Sequence, residues 1–310
     1  MPQPEIICRP ITASDEEQIV LARNKIFKKN DDLNFLRYFY SSSDKKSLNG
    51  LILTTKDNNF IGAMLFVSLK CFYFGQEMPL RIDCDEFIKP DFRKQGYGLF
   101  LIQETHNFFL KNGASFGVVS HKYIGPGRLF KVNTYFKKIG LSLKIFNYKK
   151  QKIFKNIKIE RLFSFNNLTD NIFLKLKEPA ASVRIIKDKT YLNWRYLNTP
   201  GNPYQAYLVV KNLEVIGYFI LENKNKKAYI ADLAYQNNND LETMINIITS
   251  WCQKNAYKQV VFVLINELIE KKLMTLGYHL QITDQWIAWA MVINDSSRRS
   301  DRHIIYGDLL

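Results

Sequence analysis

Cysteine, glycine and proline are all scarce in this 310-residue chain. The four cysteines (Cys8, Cys71, Cys84 and Cys252) stand far apart with no CxxC pair. That excludes a disulfide framework or a cysteine-based zinc site and points to a reducing, cytoplasmic compartment. Fourteen glycines and nine prolines are too few for a fibrous or linker-rich protein. Long apolar runs are missing too. The longest, at 61–67 and 286–293, fall well short of the roughly 20 residues that span a bilayer, so no membrane insertion is expected. The first twenty residues carry Glu5, Arg9, Asp15, Glu16 and Glu17, which leaves no secretory apolar core. His106, His121, His279 and His303 show no ligand spacing with one another or with cysteine, so no metal is expected.

What is present describes a globular protein of ordinary composition, 46% hydrophobic and 24% charged. Its length supports two domains at roughly 150 residues each. A formal charge of +15 favours anionic partners, from nucleotides and cofactor phosphates to nucleic acid and anionic surfaces, and does not choose among them. The lysine-rich stretch 144–161 interleaves Ile145, Phe146, Ile153, Phe154, Ile157 and Ile159 with its charges. That alternation reads as the solvated face of ordinary strands.

One pattern is written twice. Residues 14–40 open with an acidic, N-capping run and continue at helical spacing. Strands at 51–55 and 60–69 flank the turn Lys56-Asp57-Asn58-Asn59, a third strand occupies about 80–88, and helix 97–111, strand 115–120, helix 127–138 and a strand from 141 follow. The second half repeats the order: helix 188–197, strands 206–211, 215–221 and 228–234, helix 239–254, strand 258–264, helix 267–276 and a strand from Tyr278. Landmarks align in sequence: Ile61-Gly62 with Ile216-Gly217, Asp85 with Asp232, Asn112-Gly113-Ala114 with Lys254-Asn255-Ala256, and Gly140-Leu141 with Gly277-Tyr278. Four such pairs in order indicate a duplicated domain. The expected divisions are 1–150, connecting strands over 151–183, and 184–310.

The chemistry concentrates in RIDCDEFIKPDFRKQGYG at 81–98. An acidic strand ends at Pro90, and a tight turn with Gly96 and Gly98 leads into an amphipathic helix. Glycines there let backbone N–H groups approach an anion, and the helix N-terminus adds partial positive charge, which together suit a pyrophosphate. Arg93, Lys94 and Gln95 add charge and donors.

FIKPDFRKQGYG resembles the acetyl-CoA signature of the GCN5-related N-acetyltransferases, R/Q-x-x-G-x-G/A after a strand ending V-x-P. Arg93, Gly96 and Gly98 take its fixed positions, Ile88 and Pro90 the upstream ones, and KVNTYFKKIGL at 131–141 is similar to a later landmark of the family. NWRYLNTPGNPY at 193–204 and the tail IIYGDLL look like pieces of tandem members among bacterial polysaccharide and amino-sugar enzymes. The resemblance implies a mixed α/β (α+β) architecture of two tandem domains, each a mostly antiparallel twisted sheet flanked by helices.

It also implies an N-acetyltransferase that uses acetyl-CoA as co-substrate and a small primary amine as acceptor, with an amino sugar or its nucleotide-linked form among the candidates. Cofactor contacts would come from Phe87, Ile88, Arg93, Lys94, Gln95, Gly96, Tyr97, Gly98 and Asn133. A carboxylate deprotonates the amine, and the ranking is Asp85 first and Glu86 second, with strand alternation placing Asp83 and Asp85 on one face and Glu86 on the other. Phe136 stands where the family often has the tyrosine that protonates the leaving thiolate, so Tyr135, Tyr123 or solvent are the substitutes. The second half has NNNDLETM where a cradle would stand, without glycine, Arg or Lys. It reads as a degenerate copy in which Asp232 is a surface pair or cap and Trp194, Arg195 and Tyr196 line a pocket or pack inward. His121 is a further candidate base, and Cys84 reads as a small buried apolar residue. Two alternatives stay open: an aminoacyl transferase of the peptidoglycan-bridge type that uses charged tRNA, and a binding protein on a relic scaffold. The leading reading expects no nucleic-acid partner.

Overall fold

The computed structural model describes residues 5–41, 47–73, 76–111, 116–120, 134–137, 140–144, 156–168, 183–236, 238–263, 267–281 and 287–292. The chain divides into two units, Met1–Phe136 with Trp286–Arg302 and Lys137–Gln285 with His303–Leu310.

In the first unit β1 (Ile6–Pro10), β2 (Gly50–Thr55), β3 (Phe60–Tyr73) and β4 (Gln76–Ile88) form an antiparallel ladder in that order. Helices α1 (Glu16–Phe27) and α2 (Leu33–Tyr40) cover one face. There Ile19, Leu36 and Tyr40 pack on Ile52, Ala63, Leu65 and Phe87. Helix α3 (Tyr97–Lys111) covers the other face, where Tyr97 and Leu101 meet Leu51, Leu53, Ile61 and Met64. This two-sided burial follows from strand alternation, with Leu51 and Leu53 facing α3 and Ile52 facing α1. The helical pattern expected over 14–40 is two helices, because Lys28 turns left-handed (φ 54°) and Asp32 caps afresh by accepting from the Phe35 N–H at 2.7 Å.

Strand β5 (Phe116–Ser120) runs beside β4 without joining its ladder and instead forms a three-stranded sheet with β15 (Ile287–Val292) and β6 (Thr134–Lys137). The helix expected over 127–138 is therefore corrected in its described part. Thr134-Tyr135-Phe136-Lys137 is strand, as its β-branched and aromatic residues favour once a partner strand is available. Residues 127–133 lie outside the described residues.

In the second unit seven strands lie in the order β14 (His279–Gln281), β7 (Gly140–Lys144), β13 (Gln259–Val263), β12 (Lys227–Tyr235), β11 (Glu214–Lys224), β10 (Tyr204–Lys211) and β8 (Ile157–Leu162). Strand β7, expected to close the first half, thus pairs with β13 and β14 in the second. Helices α5 (Asn238–Lys254) and α6 (Glu267–Thr275) contribute Leu241, Met244, Ile248, Ile269 and Leu273 to an apolar core with Phe219, Leu233, Tyr235 and Phe262. The short strand β9 (Val183–Ile185) and helix α4 (Lys189–Leu192), which runs on as a π-turn over Asn193–Leu197, precede β10. Among the described residues no helix is long and apolar enough to cross a membrane.

Candidate active site

The site is built on β4 and the turn that follows it. Strand β4 pairs Leu65 with Asp85 and Phe66 with Asp83, so Cys84 is an extra residue, a one-residue bulge. Asp85 and Glu86 face opposite sides of the sheet, and the Asp83 side chain lies outside the described residues. Cys84 itself is exposed at the bulge, which corrects its expected burial.

After Ile88 the chain turns through a short 3-10 stretch, Pro90–Phe92, into α3. Lys94 (φ 63°) and Gly96 (φ 85°) are both left-handed. A turn with left-handed backbone just before a helix N-terminus is a setting that favours anions. The turn is braced by its own side chains: Arg93 Nε donates to the Ile88 carbonyl at 3.0 Å and Gln95 Nε2 to the Asp91 carbonyl at 3.0 Å. A Cβ on Gly96 would meet nothing within 4 Å, so the space beside it is open. Gly98 is set differently. A Cβ on it would stand 3.7 Å from Glu86 Oε1 and 3.8 Å from Ile88 Cγ1, ordinary contacts that place the start of α3 against β4 beside Glu86.

The two ranked acids part company. Asp85 points into the α1–α2 side, where its Oδ2 accepts from Arg23 Nε at 2.6 Å and from the Tyr40 hydroxyl at 2.8 Å. Arg23 Nη1 also donates to Asp31 Oδ2 at 2.6 Å, and the Arg23 side chain is 4% exposed. Burial pushes the Tyr40 hydroxyl up, the Asp85 charge adds to this, and the group remains a donor. Glu86 is on the α3 side, partly buried beside Gly98, and burial raises its carboxyl to about 7. A carboxyl that titrates near neutrality can take a proton at working pH, whereas Asp85 is committed to a buried guanidinium.

Other expected residues sort as follows. Phe87 is core, 4% exposed and edge-on to Phe27 and Phe60, so only its backbone is available to a cofactor. Tyr97 is likewise core and leans on Phe92. Arg93, Lys94 and Gln95 are exposed around the turn. Tyr135 stands in β6; its side chain, Asn133, His121 and Tyr123 lie outside the described residues. In the second unit Tyr196 is buried edge-on to Tyr204, and the Arg195 guanidinium lies 5.4 and 5.7 Å from the Tyr196 and Tyr204 rings. This is packing at the start of β10. Asp232 is not at the surface: its side chain is 1% exposed and it pairs with Lys187 Nζ at 2.8 Å.

Sequence reasoning missed Arg23, Asp31, Tyr40 and Lys187. For Arg23 a signal exists, because a cation one turn after Ile19 sits on the apolar stripe of α1, where an unpaired charge would be costly. Lys187 has no comparable signature.

No family model and no curated protein matches this sequence. Solved structures do resemble it in fold. A conserved protein of unknown function from Enterococcus faecalis, described as a probable N-acyltransferase, is 12% identical over 91% of this chain and 71% of its own, with a TM-score of 0.71. A GCN5-related N-acetyltransferase from Anabaena variabilis is 15% identical over 92% and 72%, with a TM-score of 0.65. The N-myristoyltransferase of Saccharomyces cerevisiae, solved with myristoyl-CoA, is 12% identical over 94% and 81%, with a TM-score of 0.60. The chain shares the mixed α+β fold of these structures.

Proposed function

We propose that this protein is an acyl-CoA-dependent N-acyltransferase with one active site, in the first unit, that moves an acetyl group from acetyl-CoA to a small primary amine. The single observation that carries the reading is Glu86, a partly buried carboxyl raised to about 7, set against Gly98 at the N-terminus of the helix that follows an open, left-handed turn. The fold likeness to N-acyltransferases supports it.

In this reading the turn 93–98 takes the pyrophosphate of the CoA substrate, through backbone N–H groups and the exposed Arg93 and Lys94. Thioester and amine meet beside β4. Glu86, in its charged form, accepts a proton from the amine. The nitrogen attacks the carbonyl carbon, the C–N bond forms, the C–S bond breaks with its electron pair on sulfur, and the thiolate takes up a proton. Backbone N–H groups near the bulge stabilise the oxygen that carries the developing charge.

The test is calorimetric titration of acetyl-CoA and free CoA into the purified protein and into Gly96→Glu, which adds bulk and negative charge at the turn. Binding by the wild type that is lost in the variant supports the reading and justifies a screen of amines, amino sugars first. No binding at millimolar ligand overturns it in favour of a tRNA-dependent transferase or a relic scaffold.

A further inference from the structure

The bulge in β4 has a twin. In β12, Ile220 of β11 pairs with Asp232 and Leu221 with Ile230, so Ala231 is the extra residue. Three residues before Ile220 stands Gly217, opposite Tyr235; three before Leu65 stands Gly62, opposite Ile88. Both glycines have the same reason to be glycine, since a Cβ on Gly62 would lie 2.4 Å from the Phe87 carbonyl oxygen and one on Gly217 2.4 Å from that of Ala234. The registers of the two strand pairs therefore correspond residue by residue: Cys84 with Ala231, Asp85 with Asp232, Glu86 with Leu233.

That correspondence separates the acids. The aspartate that follows the bulge is present in both units, and in both a largely buried cation holds it: Arg23 of α1 for Asp85, and Lys187, two residues before α4, for Asp232. The glutamate is present only where the glycine turn is present. Its counterpart is the core residue Leu233, whose N–H donates to Asp232 Oδ1 at 2.7 Å. A device found in a unit without the turn does not need the chemistry of the turn.

We propose that Arg23 and Asp85 are positioning residues that lock the bulge of β4 and thereby aim Glu86, and that Lys187 and Asp232 are the same lock, serving structure alone, in the second unit. The part concerning Glu86 rests on its reading as the base. The physical need is plain. A bulge leaves one residue outside the ladder and lets the strand bend, so a side-chain tie one residue on, to an element packed on the sheet face, fixes which way it bends. Arg23 suits the task because its fork reaches Asp31, between α1 and α2, as well as Asp85. Tyr40 of α2 supplies a second tie to the Asp85 oxygen that Arg23 holds.

Amide hydrogen exchange on the full chain, read by mass spectrometry, tests the locks one at a time. Arg23→Met is expected to speed exchange over 82–88 by about tenfold or more while 229–235 stays as in the wild type, and Lys187→Met to do the reverse, because opening of a local unit is independent of the rest. Arg23→Lys keeps the charge and falls between. If Arg23→Met does not fold, Tyr40→Phe, which deletes one hydrogen bond to Asp85, gives a smaller rise over the same segment. Carbon-detected titration of the Glu86 carboxyl supplies the positioning readout: its midpoint moves in Arg23→Met and stays put in Lys187→Met. Uniform acceleration over both units, or no local change in either variant, overturns the proposal. A Glu86→Gln variant that keeps full acyl transfer while the exchange results stand overturns only the assignment of the base.

Discussion

Oε1 of Glu86 and the α-carbon of Gly98 face each other so closely that a Cβ on the glycine would stand 3.7 Å from the carboxyl oxygen. The contact joins the strand that carries the base to the helix whose N-terminus frames the anion site. Burial there favours the neutral acid and raises the carboxyl to about 7.

Glu86→Gln is expected to lower kcat by about 10²- to 10⁴-fold, the usual contribution of a general base. Its effect on stability depends on pH. The folded pKa is raised from 4.5 to about 7, so the resulting loss of stability is absent below about 4.5, builds up as pH rises from there and is complete above about 7. Thermal melts should therefore show the variant gaining on the wild type at pH 8 and matching it near pH 4.

Gly96 and Gly98 should respond differently to alanine. Gly96 has φ 85°, so Gly96→Ala carries backbone strain of about 1 kcal/mol or more whatever the free space around it. A Cβ on Gly98 makes only ordinary contacts, and Gly98→Ala should melt within a few degrees of the wild type. Chemical denaturation of the two variants side by side checks this.

Gly62→Ala and Gly217→Ala should both destabilise, because a Cβ would come within 2.4 Å of a backbone carbonyl oxygen in each case. Overpacking of this kind costs about 1–3 kcal/mol. Equal losses in urea unfolding would reflect the shared geometry, whereas a neutral result at either site would show that its strand pair gives way easily.

Lys187→Met should be strongly destabilising, by about 3–5 kcal/mol, since it strands the buried Asp232 carboxylate. Lys187→Met combined with Asp232→Leu removes both charges and should recover much of that loss, because an apolar pair of similar volume is often no worse than a buried ion pair. A double-mutant cycle measured by denaturant unfolding gives the coupling directly.

The sequence carried a good deal of this. Apolar period and capping residues placed most helices and strands, because those signals are local. Repeat landmarks such as Gly62 with Gly217 and Asp85 with Asp232 were legible because close backbone approach and a recurrent acid leave a mark at fixed order in the chain. The turn from Arg93 to Gly98 was equally plain, as left-handed backbone beside a helix start demands glycine.

Other features have no local signature. Simple alternation counts Cys84 as an ordinary strand residue, whereas a bulge is decided by strand pairing and not by residue type. Residues Thr134–Lys137 become a strand, and Gly140–Lys144 enters the second unit's sheet, because only partners distant in the chain complete their ladders.

The amino-acid sequence by itself thus indicated most of the helices and strands and the glycine turn, which rest on propensities and periods acting within a few residues. Only the tertiary structure decided which acid a buried cation holds and which is raised by burial. Arg23 is 62 positions from Asp85, and Lys187 is 45 from Asp232. The charge state of a carboxyl is set by what packs around it in space, and neighbours in the chain do not record that.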